Sequence, residues 1–212
     1  MKRVAVLISG RGSNLGALIA AARAADYPAR IALVIANRAD AGGLALAAAA
    51  GIATRVIDHR PFRGDRAAHE AAIDAGLAEE RIETVCLAGY MRLLTPLLVG
   101  RWAGRMLNIH PSLLPAFPGL DTHARALAAG AKLHGCTVHL VTETMDSGPI
   151  LAQAAVPVLP DDDADRLAAR VLAQEHVIYP LALALHATGR PARSPAPEAR
   201  LLNPLPDVSA RP

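Results

Sequence analysis

Short apolar runs alternate along the chain with longer segments rich in alanine and leucine. The runs consist mostly of valine, leucine and isoleucine without polar alternation, which is typical of strands covered on both faces. We predict such strands over 3–8, 31–36, 53–57, 84–88 and 106–109, and helices between them over 15–25, 41–50, 66–80 and 96–102. Because strand and helix alternate at the spacing of βαβ units, the pattern predicts a parallel sheet with right-handed crossovers.

The second half of the chain continues the α/β pattern. We predict a helix over 122–129, strands over 136–143 and 150–158, and a helix over 165–186 that Pro180 is expected to kink or split. Prolines recur near the end, so we predict one domain over 1–189 followed by a proline-rich C-terminal tail over 190–212. The fold class is therefore α/β and Rossmann-like, with a mostly parallel central sheet and helices on both faces.

The composition narrows the possible function classes. Of 212 residues, 22 are basic and 19 are acidic, which gives a net charge of +3 and a pI near 9.2. This surplus allows a local phosphate pocket, but a nucleic-acid surface would show a clustered basic stripe, and aromatic residues make up only 3%. No apolar stretch approaches the roughly 20 residues that cross a bilayer, and Arg11 interrupts the first apolar segment before a signal peptide is complete. We therefore expect a cytoplasmic protein without nucleic-acid or membrane partners, in which Cys86 and Cys136 are buried free thiols.

A glycine-rich turn joins the first predicted strand to the first predicted helix. The backbone can approach an anion closely at 9–14, Ser-Gly-Arg-Gly-Ser-Asn, and the next helix offers free N–H groups. The hydroxyl of Ser13 and the amide of Asn14 either add donors to a phosphate or cap the helix. A dinucleotide fingerprint would need a third glycine where Leu15 stands, so a monophosphate is favoured, with a plain glycine turn as the alternative.

Asn108 and His110 lie at the end of the predicted strand over 106–109, just before a proline-rich loop. A spacing of two residues on a strand directs both side chains to the same face. A proton carrier beside an amide donor is the minimum equipment for acyl-transfer chemistry, although an ordinary strand end has the same pattern. Ligands of parallel sheets collect at the carboxyl ends of the strands, so this pair, the glycine turn and the end of the strand over 84–88 should share one rim.

Three other stretches carry candidate chemistry. The segment 89–94, Gly-Tyr-Met-Arg-Leu-Leu, either lines a slot for a flat ring or folds its apolar side chains into the core. In the turn over 144–149, Asp146 either accepts a hydrogen bond from an imidazole and keeps it protonated, or caps its own backbone. His134, Cys136 and His139 suggest a metal, but a strand would splay the last two apart and no fourth ligand is near, so we expect none.

Six motifs, in order, carry a resemblance to a known family. They are Val-Leu-Ile-Ser-Gly-x-Gly-Ser-Asn at 6–14, Ala-Gly-Tyr-Met-Arg-Leu-Leu at 88–94, Asn-Ile-His-Pro-Ser-Leu-Leu-Pro at 108–115, His-Gly-x-x-Val-His at 134–139, Asp-x-Gly-Pro at 146–149 and Gln-Glu-His-x-Ile-Tyr-Pro at 174–180. By these motifs the chain resembles the phosphoribosylglycinamide formyltransferase family of folate-dependent enzymes of purine synthesis. The resemblance implies the formyltransferase type of the Rossmann-like fold. It also implies transfer of a formyl group from the co-substrate 10-formyltetrahydrofolate to the amine of glycinamide ribonucleotide, without a metal.

The resemblance further implies roles for individual residues. Asn108, His110 and Asp146 match the catalytic residues, which would stabilise a tetrahedral intermediate formed by direct attack of the amine. Glu175 matches a glutamate that contacts the glycinamide substrate, and the phosphate loop is matched by Gly12, Ser13 and Asn14. The residues that match the folate site are Arg66, Met91, Arg92, Leu93, Leu94, Asn108, Thr142, Glu143, Thr144 and Met145. The family also has a cis bond at the position of Leu114-Pro115.

Three alternative functions share parts of this pattern. 10-Formyltetrahydrofolate hydrolase resembles the family around the same three catalytic residues but carries an extra N-terminal domain, whereas the first strand here starts at Arg3. Methionyl-tRNA formyltransferase needs a C-terminal RNA-binding domain, which a short proline-rich tail does not supply. A non-catalytic folate or nucleotide binder would have no use for Asn108, His110 and Asp146 together.

Two positions depart from the family pattern. Ser147 stands where a glycine is common, and Leu172 stands where some members carry a polar contact to the substrate. The sequence leaves the choice between a monomer and a homodimer open.

Overall fold

The computed structural model of the protein describes residues 1–189, so the predicted tail over 190–212 lies outside the described residues. Within this range, seven strands form one sheet: β1 Lys2–Ile8, β2 Ala29–Ala36, β3 Ala53–Val56, β4 Thr84–Leu87, β5 Met106–His110, β6 Leu133–Leu140 and β7 Ile150–Pro157. The α-helices are α1 Ser13–Ala21, α2 Gly43–Ala49, α3 Arg66–Glu79, α4 Pro96–Arg101, α5 Thr122–Ala128 and α6 Ala164–Ala187. A short 3-10 turn, Arg60–Phe62, precedes α3.

The sheet is mostly parallel, as predicted. Its strand order is β3-β2-β1-β4-β5-β6-β7. Strands β1 to β5 run parallel, and β6 runs antiparallel to both β5 and β7. The order reverses between β1 and β4, so the loops after these two strands flank the crevice in which such sheets bind ligands. Leu7, Leu87 and Asn108 lie in register across β1, β4 and β5, which brings the ends of the three strands to one rim.

Helices cover both faces of the sheet because buried side chains alternate along its central strands. On β1, Val4, Val6 and Ile8 belong to a core shared with α1 and α6. Ala5 and Leu7 point the other way, into a second core shared with α3 and α4. All five side chains are fully buried. The predicted α/β class with two covered faces is therefore confirmed.

Three element boundaries differ from the prediction. Helix α1 ends at Ala21 because the following residues form isolated turns, despite their alanine content. Strand β6 begins at Leu133 and ends at Leu140, rather than at 136 and 143, because pairing with both β5 and β7 sets its register. Helix α6 runs unbroken through the buried Pro180, so the predicted split is not observed. The burial of one helix face around this proline outweighs a helix cost of about 3 kcal/mol.

Three smaller expectations can be compared with the structure. Cys86 and Cys136 are free and buried, as predicted. The Leu114-Pro115 peptide bond is cis, as the family resemblance implies. In the part of the chain that the structure describes, no helix combines the length and the apolar character needed to cross a membrane.

Candidate active site

The turn after β1 packs so tightly that it requires glycine. Gly12 precedes α1 with φ +80°, in the left-handed region that glycine adopts at little cost. A Cβ atom on Gly12 would lie 2.7 Å from Gly43 Cα, and Gly43 N donates to Gly10 O at 3.1 Å. The turn is therefore fixed against the start of α2. Helix α1 follows it with no side-chain cap, so its first N–H groups are available to an anion.

Asn14 and Glu175 meet beside this turn. Asn14 Nδ2 donates to Glu175 Oε2 at 2.6 Å, which joins α1 to α6. Burial raises the pKa of Glu175, and the Asn14 hydrogen bond and the nearby His176 and His110 oppose this shift. Asn14 Oδ1 is buried and has no hydrogen-bond partner among residues 1–189. The turn predicted to hold the phosphate and the glutamate predicted to contact the glycinamide are thus adjacent.

His139, to which the sequence analysis gave no catalytic role, orients the amide of Asn108. The two residues pair across β5 and β6, and Asn108 Nδ2 lies 3.2 Å from His139 Nε2. His139 Nδ1 lies 2.9 Å from Leu140 O and donates to it, which leaves Nε2 of the neutral ring as an acceptor. Burial lowers the pKa of His139, with the Leu140 carbonyl and Asp146 opposing the shift. The neutral ring accepts one N–H of the Asn108 amide and leaves the other for a ligand.

Both ring nitrogens of His110 face acceptors. Its Nε2 lies 3.1 Å from Phe117 O, and its Nδ1 lies 3.5 Å from Asp146 Oδ2. A carbonyl and a carboxylate only accept hydrogen bonds, so an imidazole that serves both must donate from both nitrogens, as only the protonated ring can. The side chains of His110 and Asp146 are 7% and 9% exposed, so salt screens this pair weakly. His110 therefore links the carbonyl of Phe117 to the carboxylate of Asp146.

Asp146 reaches His110 from the turn between β6 and β7. Its backbone is left-handed, with φ +54°. Its Oδ2 also accepts a hydrogen bond from Gly119 N at 2.8 Å, and its Oδ1 lies 3.8 Å from His139 Nε2. These contacts lie in other segments, so Asp146 does more than cap its own turn. Ser147 closes that turn by donating to Thr144 O at 2.8 Å, which accommodates the departure from glycine.

The segment after β4 is tied to the turn after β1. Ser9 Oγ accepts a hydrogen bond from Met91 N at 2.9 Å, and Ser9 N donates to Gly89 O at 3.2 Å. The side chains of Met91 and Leu93 are 73% and 63% exposed, whereas Leu94 packs against the second core. Of the two interpretations of this segment, core packing applies to Leu94, and Met91 and Leu93 are accessible to a ligand.

The other residues matched to the folate site lie at or near the surface. Arg66 is the exposed first residue of α3, and Arg92 is half-buried. The turn over 142–145 is exposed, and Thr142 Oγ1 donates to Thr144 O at 3.0 Å within it. Leu172, on α6, is half-buried. All of these groups are accessible, and their contacts with a folate stay predictions.

His134, Cys136 and His139, the three residues considered for a metal, all lie on β6. Within residues 1–189, no group of three or more His, Cys, Asp or Glu side chains is arranged to hold a metal ion. His134 Nε2 instead lies 3.2 Å from His123 Nδ1, and burial lowers the pKa of His134 to about 4, so this ring is neutral. Burial raises the pKa of the Cys136 thiol, which keeps it protonated.

Comparisons with known proteins identify the family to which the chain belongs. The chain matches the family described as formyl transferase over residues 2–183. It is 46% identical over 190 residues to phosphoribosylglycinamide formyltransferase of Haemophilus influenzae, covering 90% of this chain and 89% of that protein. The crystal structure of phosphoribosylglycinamide formyltransferase from Brucella melitensis is similar with a TM-score of 0.84 and 60% identity, covering 89% of this chain and 96% of that one.

The same region occurs within a larger relative. Trifunctional purine biosynthetic protein adenosine-3 of Homo sapiens is 51% identical over 187 residues, which is 88% of this chain. The chain spans 18% of the length of that protein. Together with the matches along nearly the whole length of the two bacterial proteins, these similarities show that the chain belongs to the phosphoribosylglycinamide formyltransferase family of formyl transferases.

Proposed function

We propose that the chain transfers the formyl group of 10-formyltetrahydrofolate to the amine of glycinamide ribonucleotide. The observation that carries this proposal is that three groups converge: the amide of Asn108, the imidazole of His110, whose two nitrogens face two acceptors, and the buried carboxylate of Asp146. They lie at the rim where the strand order reverses, beside the turn after β1 and the buried Glu175. This position suits two small-molecule substrates that meet above the ends of β1, β4 and β5.

In this mechanism the amine attacks the formyl carbon directly. Negative charge develops on the formyl oxygen in the tetrahedral intermediate, where the free N–H of Asn108 and the positive charge of His110 stabilise it. A single donor of this kind contributes about 2.7–4 kcal/mol to lowering the barrier. Asp146 holds His110 cationic and orders a water that carries the proton of the amine towards N10 of the folate.

The proposed binding roles rest on the family resemblance and on the positions of these residues. The ribose phosphate binds the backbone N–H groups around Gly12, Ser13 and Asn14 at the start of α1. Glu175, whose carboxylate accepts from Asn14, contacts the glycinamide end of the substrate. The proposed folate site comprises the segment 91–94, Arg66 and the turn over 142–145. The folate is a co-substrate, and no step in this mechanism needs a metal.

The cellular setting is part of the proposal. We propose a cytoplasmic enzyme whose catalytic domain is 1–189, with the proline-rich segment 190–212 as a tail, working as a monomer or a homodimer. Its partners are then the two small-molecule substrates, with no nucleic acid or membrane.

A single assay tests the reaction. The purified chain is incubated with 10-formyltetrahydrofolate, with and without glycinamide ribonucleotide, and the deformylated folate is followed by absorbance. If the chain transfers the formyl group, deformylated folate should form only when the amine is present, and His110→Asn should abolish its formation. His186→Asn is the matched control, because His186 lies in the last turn of α6, beyond Glu175, and has no role in the proposed site. Product without the amine would indicate a hydrolase instead, and no product under either condition would indicate a binding protein.

A further inference from the structure

A short loop contacts two of the three candidate catalytic residues through its backbone. We call residues 117–121 the Phe117 loop; it leads into α5. Phe117 O accepts from His110 Nε2 at 3.1 Å, and Gly119 N donates to Asp146 Oδ2 at 2.8 Å. If the loop moved away, His110 would lose one acceptor and Asp146 would lose one donor. The position of this loop therefore controls both partners of the ion pair.

The same loop is held from the outside by one arginine. Arg125 Nη1 donates to Pro118 O at 2.5 Å and to Leu120 O at 3.2 Å. Its guanidinium carbon lies 5.7 Å from the centroid of the Phe117 ring, within the range of a cation–π contact. Consecutive residues thus alternate: Phe117 and Gly119 bond inward to the catalytic residues, and Pro118 and Leu120 bond outward to Arg125.

The loop needs such an attachment because its backbone is strained. Phe117 has φ +53° and Asp121 has φ +55°, in the left-handed region that non-glycine residues rarely adopt. Such conformations persist only where surrounding contacts determine them. Arg125 is exposed, and no carboxylate lies within ion-pair distance of it in the described part of the chain. Its guanidinium is therefore available to the loop carbonyls instead of a salt bridge.

We propose that Arg125 is a positioning residue for formyl transfer, which fixes the Phe117 loop and through it the hydrogen-bonded, cationic state of His110. The proposal rests on the proposed function of His110 and extends it to a residue that touches neither substrate. Arginine suits this task better than lysine, because its guanidinium reaches both carbonyls through Nη1 while its plane stays within cation–π distance of the Phe117 ring.

The test compares three variants of the full-length chain. Arg125→Gln removes both the positive charge and the guanidinium group, and Arg125→Lys keeps the positive charge on an ammonium group. Arg166→Gln is the matched control, because Arg166 is also an exposed helix residue whose Nη1 donates to a backbone carbonyl, that of Asp161 at 2.8 Å. Each variant is measured for kcat and KM, and for amide hydrogen exchange of peptides that cover 116–121.

The expected result separates positioning from general stability. In Arg125→Gln, kcat should fall by about tenfold, which corresponds to about 1.4 kcal/mol of transition-state stabilisation. The KM for the folate should stay within about twofold of the wild-type value, because Arg125 touches neither substrate. Amide exchange at 116–121 in Arg125→Gln should be about tenfold faster than in the wild type. The kcat and exchange rate of Arg125→Lys should lie between those of Arg125→Gln and the wild type, and those of Arg166→Gln should equal the wild-type values.

Two results would overturn the proposal. Unchanged exchange at 116–121 in Arg125→Gln would show that the arginine does not fix the loop. Faster exchange with unchanged kcat would show that the loop does not position His110. If the wild-type chain transfers no formyl group, the proposed function fails, and the exchange measurement alone still decides whether Arg125 holds the loop.

Discussion

Replacing Asp146 by asparagine should lower turnover without disturbing the fold. The carboxamide has the same shape, and its oxygen can still accept from Gly119 N, now 2.8 Å from Oδ2. It carries no charge, however, so His110, 3.5 Å away at Nδ1, loses its ionic partner. A hydrogen bond to a charged group contributes about 1.5–3 kcal/mol, which predicts a fall in kcat of about 10- to 150-fold.

The assay follows deformylation of 10-formyltetrahydrofolate at saturating glycinamide ribonucleotide across the pH range. In Asp146→Asn the KM for the folate should stay nearly unchanged, because the loss concerns charge stabilisation in the transition state. Asp165→Asn makes the same chemical change at an exposed position in the first turn of α6 and should leave kcat unchanged.

The outcome that refutes this reasoning is specific. Equal turnover of Asp146→Asn and the wild type at neutral pH would remove Asp146 from the mechanism. A loss of turnover that appears equally in Asp165→Asn would assign the effect to overall charge instead of the ion pair.

Three further predictions concern stability and binding. Gly12→Ala should lower the free energy of unfolding, measured by urea denaturation, by about 2 kcal/mol or more. A left-handed alanine costs about 1–2 kcal/mol, and its Cβ would lie 2.7 Å from Gly43 Cα. The KM for glycinamide ribonucleotide should rise in the same variant. Tyr179→Phe should lower the free energy of unfolding by about 1–2 kcal/mol, because this buried hydroxyl donates its one proton to Leu87 O at 3.0 Å, with Leu107 O at 3.3 Å as a second acceptor. Tyr90→Phe should change the free energy of unfolding by less than about 0.5 kcal/mol, since its buried hydroxyl has no partner among residues 1–189. Burial raises the pKa of Glu175, so the folded protein binds the proton of this carboxyl more tightly than the unfolded chain does. Ionisation of Glu175 therefore lowers the free energy of unfolding as the pH rises above about 4.5. Glu175→Gln should raise the melting temperature at neutral pH, with a gain that vanishes at lower pH.

The rim of the sheet could be predicted from the sequence because parallel strands leave few choices. Apolar runs without alternation indicated strands covered on both faces, and the βαβ spacing then placed their carboxyl ends together. The period of two on β5 directed Asn108 and His110 to one face. The structure has Leu7, Leu87 and Asn108 in register, as this argument requires.

The partners of His110 and Asn108 could not be predicted in the same way. His139 reaches Asn108 only because β6 pairs antiparallel with β5 in one register, and the sequence placed the boundaries of β6 three residues too late. The acceptor at Nε2 of His110 is the carbonyl of Phe117, a group that every residue has and no motif marks. Asp146 was placed beside His110 by family resemblance, since no local pattern relates a turn to a strand so distant along the chain.

Ser9 links the two halves of the candidate site, the turn after β1 and the segment after β4. Its hydroxyl accepts from Met91 N and its own N–H donates to Gly89 O, so the turn that begins the phosphate loop also fixes the segment where the folate is proposed to bind. Direct transfer needs the amine and the formyl carbon within about 3–3.5 Å of each other, and a misplacement of about 1 Å can cost a hundredfold in rate. Two adjacent strands that share hydrogen bonds at their ends hold such a distance without a lid or a second domain. The same coupling holds the phosphate turn and the segment 89–94 together at the ends of β1 and β4, where the strand order reverses.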